Sequence, residues 1–161
     1  MRRGPGVSRI HRPTGVWVLA GILGFIGIGG LVTGPLLIAD PTGAVIGARV
    51  SWLEATPVPD WSAVGWFLVV AMGVVPGTIA VGLVTRFSWP LAERLDRSAS
   101  EHWTWMAAQV MGAGLLVWIG LQLAMIDLHG GPQPLFAMLG IALLALPWLR
   151  SVRTYLAVAE S

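Results

Sequence analysis

The sequence predicts an all-α fold: a transmembrane bundle of four helices with both termini cytoplasmic. Three observations predict it. Of the 161 residues, 55% are hydrophobic and only 11% charged, at a mean hydropathy of +0.75, whereas a soluble domain carries about 25% charged residues. Four apolar segments, each free of Asp, Glu and Arg, divide the chain. The arginines gather between alternate segments, as positive charge does when it sets membrane orientation.

Residues 1–15 form a basic cytoplasmic tail with Arg2, Arg3, Arg9 and Arg12, and residues 16–158 form the membrane domain. The first span covers 16–38, roughly 34 Å of helix against a hydrocarbon core of about 30 Å. This run is longer than a secretory signal core and no small-residue cleavage site comes after it, so it reads as an anchor. The second span covers 63–85 and the third 103–126. The fourth, 134–149, reaches only roughly 24 Å. There either Arg150 snorkels, or the helix runs on along the interface through Arg153 and Tyr155.

Arginine placement orients these spans. The tail, the stretch from Arg86 through Arg94 and Arg97, and the end with Arg150 and Arg153 belong to one side. The opposite side has Arg49 alone, beside Asp40, Glu54, Asp60 and Asp127. The protein is therefore expected in a cell membrane, multi-pass, with the first side cytoplasmic. Tryptophans fit those depths: Trp17, Trp89, Trp103, Trp105 and Trp148 near one interface, Trp52, Trp61 and Trp66 near the other, with Trp118 alone in mid-span.

Span one carries Ala20, Gly27 and Gly34 at intervals of seven, with Gly24 and Gly30 beside them. This is a face along which another backbone can approach closely. Its partner is either a neighbouring span, a second copy of the chain or another membrane protein. Gly73 with Gly77, and Ala108 with Gly112, repeat the small-xxx-small spacing. Pro76-Gly77 lies mid-way along span two, where proline removes a helix hydrogen bond; a kink or hinge is expected, with Thr78 re-satisfying the freed carbonyl.

Several chemistries are excluded. With no cysteine there is no disulfide exchange, thiolate metal site or cysteine nucleophile. The spans hold no ionisable residue of the kind that drives proton-coupled export. His11, His102 and His129 do not pair at one depth, so haem is not expected. The serines occupy tails, loops and helix ends, away from any base. Nothing suggests nucleic-acid binding, since the arginines flank spans rather than form a patch. No enzyme and no cofactor are expected.

The polar residues left inside the spans are Thr33, Thr78, Gln109 and Gln122. Gln122 lies four positions after Trp118, so both share a face of span three. They form either an interhelical hydrogen bond or a small polar pocket for a lipid-like headgroup. Gln109 lies about 140° around the helix from that site.

The loop 39–62 opens on a turn-forming string in which Asp40 can cap the next turn of chain. Val45, Ile46, Val50, Trp52 and Leu53 make it too apolar to be freely solvated, so it is expected in the interface or across the bundle mouth. Between spans two and three, the alternating charges of 93–97 suggest an amphipathic turn on the cytoplasmic surface.

The string DPTGA at 40–44, with SWLEATPVPDW after it at 51–61, resembles small four-span integral membrane proteins of unknown function from bacteria, notably actinobacteria. That resemblance implies the four-span layout and a bacterial inner membrane; it supplies no catalytic residue. The functional expectation is an accessory or interaction subunit of a membrane complex. The alternative is a binder or transporter of a small apolar or amphiphilic molecule, using Pro76-Gly77 as hinge and Trp118 with Gln122 as pocket. Membrane lipids are the expected partners in either case.

Overall fold

The computed structural model describes residues 12–87, 89, 102–125 and 131–157, with Met125 described in its backbone only. The expectations for residues 1–11 of the basic tail, the charged turn at 93–97, Asp127 and His129 lie outside them; of the tail, residues 12–15 are described, and Thr14 and Gly15 already belong to the first helix. Among the described residues the fold is all-helical. Three helices are long and apolar enough to cross a membrane, and a bent pair makes a fourth candidate.

Helix α1 spans Thr14–Ala39. No charge interrupts it and its end is closed by the Asp40 N–H on the Leu36 carbonyl. Pro35 sits inside it with an exposed side chain and does not end it. Helix α2 spans Trp61–Thr85, two residues earlier than the hydropathy suggests, because Asp60 caps it: the carboxylate accepts from the Ser62 N–H at 2.8 Å. Within α2, residues Leu68–Val74 form a π-helical stretch before the helix resumes at Val75.

That stretch is the structure's answer to Pro76. Proline has no N–H and crowds the carbonyl four residues back, and a widened turn upstream relieves both. The Val75 N–H accordingly reaches the Val70 carbonyl, five residues back. The Thr78 hydroxyl bonds the Val74 carbonyl at 2.9 Å, not the Met72 carbonyl that Pro76 leaves without its usual donor. Helix α2 ends with Arg86 in the left-handed region, φ 53°, where glycine is usual. Arg86 is held there by Nη2 donating to the Ala157 carbonyl at 3.2 Å, with its guanidinium 5.2 Å from the Tyr155 ring centre.

Helix α3 spans Trp103–Met125 and α4 spans Gln133–Ala145. A 3-10 turn at Leu146–Trp148 comes next, then extended Leu149, then helix α5, Arg150–Leu156. The chain bends by 69° between the last two helical pieces. Beyond the short fourth span the helix breaks at Leu149 and resumes at Arg150, turned across the end of the bundle. The Tyr155 hydroxyl donates to the Leu83 carbonyl at 3.3 Å, and the His102 N–H donates to the Leu156 carbonyl at 2.7 Å. Val152 packs over Gly15. The first and last described segments therefore lie at the same end, which we call the α5 end; residues 40–60 lie at the other, the loop end.

Glycines decide which helices pair. A Cβ on Gly30 would stand 2.6 Å from the Leu68 carbonyl oxygen, and one on Gly34 would stand 2.8 Å from the Gly65 oxygen. Gly27 faces Gly73 and Gly77 across the same seam. On the other side of the molecule, Gly112 of α3 meets the Gly140 backbone of α4. The bundle is thus two tight pairs, α1 with α2 and α3 with α4, which touch each other far less. Their shared core is built on Leu19, Leu23, Leu83, Leu115 and Leu143, all buried. Outward-facing Ile28, Val110, Val117 and Met138 are each more than 60% exposed. Lipid is the solvent that makes such a belt stable.

Candidate functional site

The seam between the two pairs is not filled. Near the loop end it opens into a cavity of about 410 Å³, to which all four long helices and the loop contribute. Helix α1 supplies Thr33 and Leu37, and α2 supplies Trp61, Leu68 and Met72. From α3 come Leu115, Trp118, Ile119 and Gln122, one face at helical spacing. Gln133 and Phe136 of α4 close the far wall, and Ile46, Ala48 and Trp52 of the loop form the roof.

The roof is built by local chemistry. Asp40 accepts from the Thr42 N–H and hydroxyl and from the Val45 N–H at 2.9 Å, nucleating the 3-10 turn Ala44–Ile46. Those bonds favour the charged carboxylate: first the Thr42 hydroxyl and then the Val45 N–H hold Asp40 below the ordinary carboxyl range. Asp60 is lowered likewise, chiefly by the Ser62 hydroxyl. Gly43 takes φ 78°, and its bare Cα lets the Trp61 indole lie against the turn. Leu37, Ala48, Leu53 and Trp61 then form a second small core, on which the loop rests. Val45, Ile46 and Val50 remain exposed.

Polarity inside this cavity is sparse and uncommitted. Among the described residues no charged side chain lines it. Trp61 and Gln133 are 5% and 6% exposed, yet their Nε1 and Oε1 atoms, both buried, have no hydrogen-bond partner among the described residues, nor has the Gln109 Nε2 outside the cavity. Trp61 Nε1 is a donor and Gln133 Oε1 an acceptor, and leaving each unpaired costs about 1–3 kcal/mol. The Gln133 amide is folded over Gly131. Gln122 is half-buried and forms no side-chain hydrogen bond to a described residue. Trp118 is fixed by Phe67, their ring centres 4.4 Å apart.

A second, larger cavity of about 620 Å³ lies toward the α5 end between α2 and α3. Its walls are Phe67, Met72, Ile79, Trp103, Met111 and Leu115, and its flank is open past exposed Val74 and Val110. Met72 and Leu115 belong to both cavities. The Trp103 Nε1 donates to the Phe87 carbonyl at 3.0 Å, and the Thr78 hydroxyl is committed to Val74. Among the described residues no charged side chain lines this cavity either.

Of the residues singled out from the sequence, Trp118 and Gln122 line one cavity together, and Gln109 lines neither. Gly27, Gly30 and Gly34 are occupied by α2 of the same chain, Ala20 is half-buried, and a Cβ on Gly24 would meet nothing within 4 Å. Pro76 is buried next to the π-helical stretch, with Gly77 half-buried. Sequence reasoning misses Trp61 and Gln133 as cavity residues. It places Trp61 in the interfacial belt, and Gln133 falls one residue before the fourth apolar run; an amide between Pro132 and Pro134 at a helix start is the signal available. No known protein family, curated protein or solved structure matches the chain.

Proposed function

We propose that this chain is a non-enzymatic, multi-pass protein of a bacterial inner membrane, with both termini cytoplasmic, that binds a small amphiphilic molecule in the cavity at the loop end. One observation carries the reading. A cavity of about 410 Å³, within the range that holds a small ligand, is walled by apolar side chains around the half-buried amide of Gln122, which forms no side-chain hydrogen bond to a described residue. A molecule whose polar group bonds that amide recovers its desolvation cost. The arginine distribution supports the orientation, and the DPTGA and SWLEATPVPDW strings support the bacterial origin by resemblance.

The subunit reading keeps one observation of its own. Gly21 and Gly24 leave a bare patch on α1, with nothing within 4 Å of the positions a Cβ would take. The glycines that meet a backbone, Gly27, Gly30 and Gly34, meet α2 instead. The two readings separate in native mass spectrometry of the full chain, extracted from its membrane in lipid nanodiscs. A stoichiometric small molecule retained by the wild type and lost from Gln122→Leu is expected. A bare polypeptide, or a second protein in its place, overturns the binding reading.

A further inference from the structure

We infer that the α5 end carries a binding surface for the headgroup of an anionic phospholipid, held by two arginine–tryptophan pairs, Arg12–Trp17 and Arg153–Trp148. It stands apart from the ligand-binding reading, because it concerns the outside of the bundle at the end away from the loop.

Charge is the first ground, counted over the whole sequence. Residues 1–12, 86–102 and 150–161 are all joined to helices at the α5 end. They hold nine of the ten arginines against four carboxylates, Glu93, Asp96, Glu101 and Glu160. Residues 40–60 and 126–130, joined at the loop end, hold Arg49 against Asp40, Glu54, Asp60 and Asp127. Even with every carboxylate of the α5 end paired to an arginine, five guanidinium groups stand in excess. A basic excess of that size beside a bilayer attracts anionic headgroups.

Geometry is the second ground. Helix α5 lies across the bundle end with Val152, Tyr155 and Leu156 buried beneath it. Arg150, Arg153 and Thr154 are exposed, and their spacing of three and four puts them on one side of the helix. The start of α1 runs beside α5, since a Cβ on Gly15 would meet both Val152 and Leu149. There the Arg12 guanidinium stands 5.7 Å from the Trp17 ring centre, and that of Arg153 stands 5.8 Å from the Trp148 ring centre. Both rings are more than half exposed.

The rim of the apolar belt decides for lipid over an acidic protein. On α1, exposed Val18, Phe25 and Ile28 follow Trp17; on α4, exposed Met138 and Ile141 precede Trp148. The two tryptophans are therefore the last rings of the lipid-facing surface, at the depth where indoles meet headgroups. A guanidinium over such a ring keeps its charge and presents a planar fork of donors that suits a phosphate. A phospholipid beside the bundle supplies both halves of that match, chains along the belt and a phosphate at its rim. An acidic protein in the aqueous phase would meet the arginines alone.

The test places the full chain in nanodiscs of equal parts dioleoyl-phosphatidylglycerol and dioleoyl-phosphatidylcholine. These lipids share their chains and differ in net headgroup charge. Native mass spectrometry reads which lipid stays bound. Phosphatidylglycerol is expected to exceed phosphatidylcholine among the adducts by about tenfold or more. Arg12→Gln and Arg153→Gln should each lower that ratio by about fivefold. Arg150→Gln carries the same readout should either variant fail to fold. Arg49→Gln, the same charge change at the loop end, should leave the ratio as it is. Equal adducts of the two lipids on the wild type overturn the inference. An unchanged ratio with Arg12 and Arg153 replaced together overturns it too, as does an equal fall in Arg49→Gln, which reports net charge rather than a site. Glycerol phosphate in excess is expected not to displace the lipid; displacement would mean a site for the free anion and overturn the lipid assignment. An acidic protein isolated in the lipid's place would overturn it as well.

Discussion

Replacing Gly30 by alanine places a methyl group where α2 already runs. Its Cβ would stand 2.6 Å from the Leu68 oxygen, 2.6 Å from the Met72 carbonyl carbon and 2.7 Å from the Gly73 nitrogen. Ordinary contact begins at 3.4 Å, so the helices must part by about 0.8 Å, and all three obstacles are backbone atoms that cannot swing aside. Overpacking of this kind costs about 1–3 kcal/mol. The control is Gly21→Ala in the same helix, where the new methyl meets nothing within 4 Å. Both substitutions gain the same helix propensity relative to glycine, about 0.5–1 kcal/mol, so the difference between them isolates the crossing. Reversible unfolding in mixed micelles, monitored by tryptophan fluorescence, should place Gly30→Ala about 1–3 kcal/mol below Gly21→Ala. Agreement of the two within about 0.5 kcal/mol would refute the α1–α2 seam. A Gly30→Ala chain that keeps its stability but falls out of an oligomer would show instead that this face joins separate chains.

The loop yields two further expected outcomes. Asp40 and Asp60 have carboxyls held below their ordinary value of 3.8 by the Thr42 and Ser62 hydroxyls respectively. A folded pKa below the unfolded one gives stability that is present above the unfolded value and lost as pH falls through the folded value. The thermal midpoint should therefore hold steady at mildly acidic pH and drop below about pH 4, with a smaller drop in Asp60→Asn; equal drops would refute the capping role. Because the chain has no cysteine, topology can be read by single introduced thiols. Exposed Ser51 lies at the loop end and exposed Ser151 at the α5 end. In intact cells a membrane-impermeant maleimide should label Ser51→Cys, and should label Ser151→Cys only after lysis; the reverse order would invert the orientation.

The existence of the spans is legible in the sequence because hydropathy over twenty residues sums many small terms with one sign. The start of α2 differs by two residues, since an N-cap is a single side-chain bond, here Asp60 to Ser62, that hydropathy does not weigh. The glycine face is visible in sequence, and its occupant is not: Gly27 and Gly24 look alike until α2 is placed beside one of them. Pro76 announces a disturbance without its form, because a kink and a π-helical stretch relieve the same clash. The Trp118–Gln122 face is readable from helical spacing, whereas Trp61 and Gln133 reach the same space only through tertiary contacts. The bend at Leu149 depends on Tyr155 and Leu156 finding partners on α2 and His102, far away in sequence.

Residue size and solvent together explain why the seam stays open. Within each pair the contact residues are glycines, so backbones touch; between the pairs stand Phe67, Met72, Leu115 and Trp118, which hold the backbones apart. In water such a gap would be squeezed by the hydrophobic effect. In a bilayer the surroundings are as apolar as the side chains, and no comparable force closes it. The open lining still forfeits dispersion contacts, so a hydrocarbon chain drawn from the membrane regains them at little cost in desolvation. Any lipid tail offers that gain equally. On the binding reading, discrimination therefore falls to the loop end, where the half-buried Gln122 amide beside Trp118 is the group a hydrogen-bonding headgroup would meet.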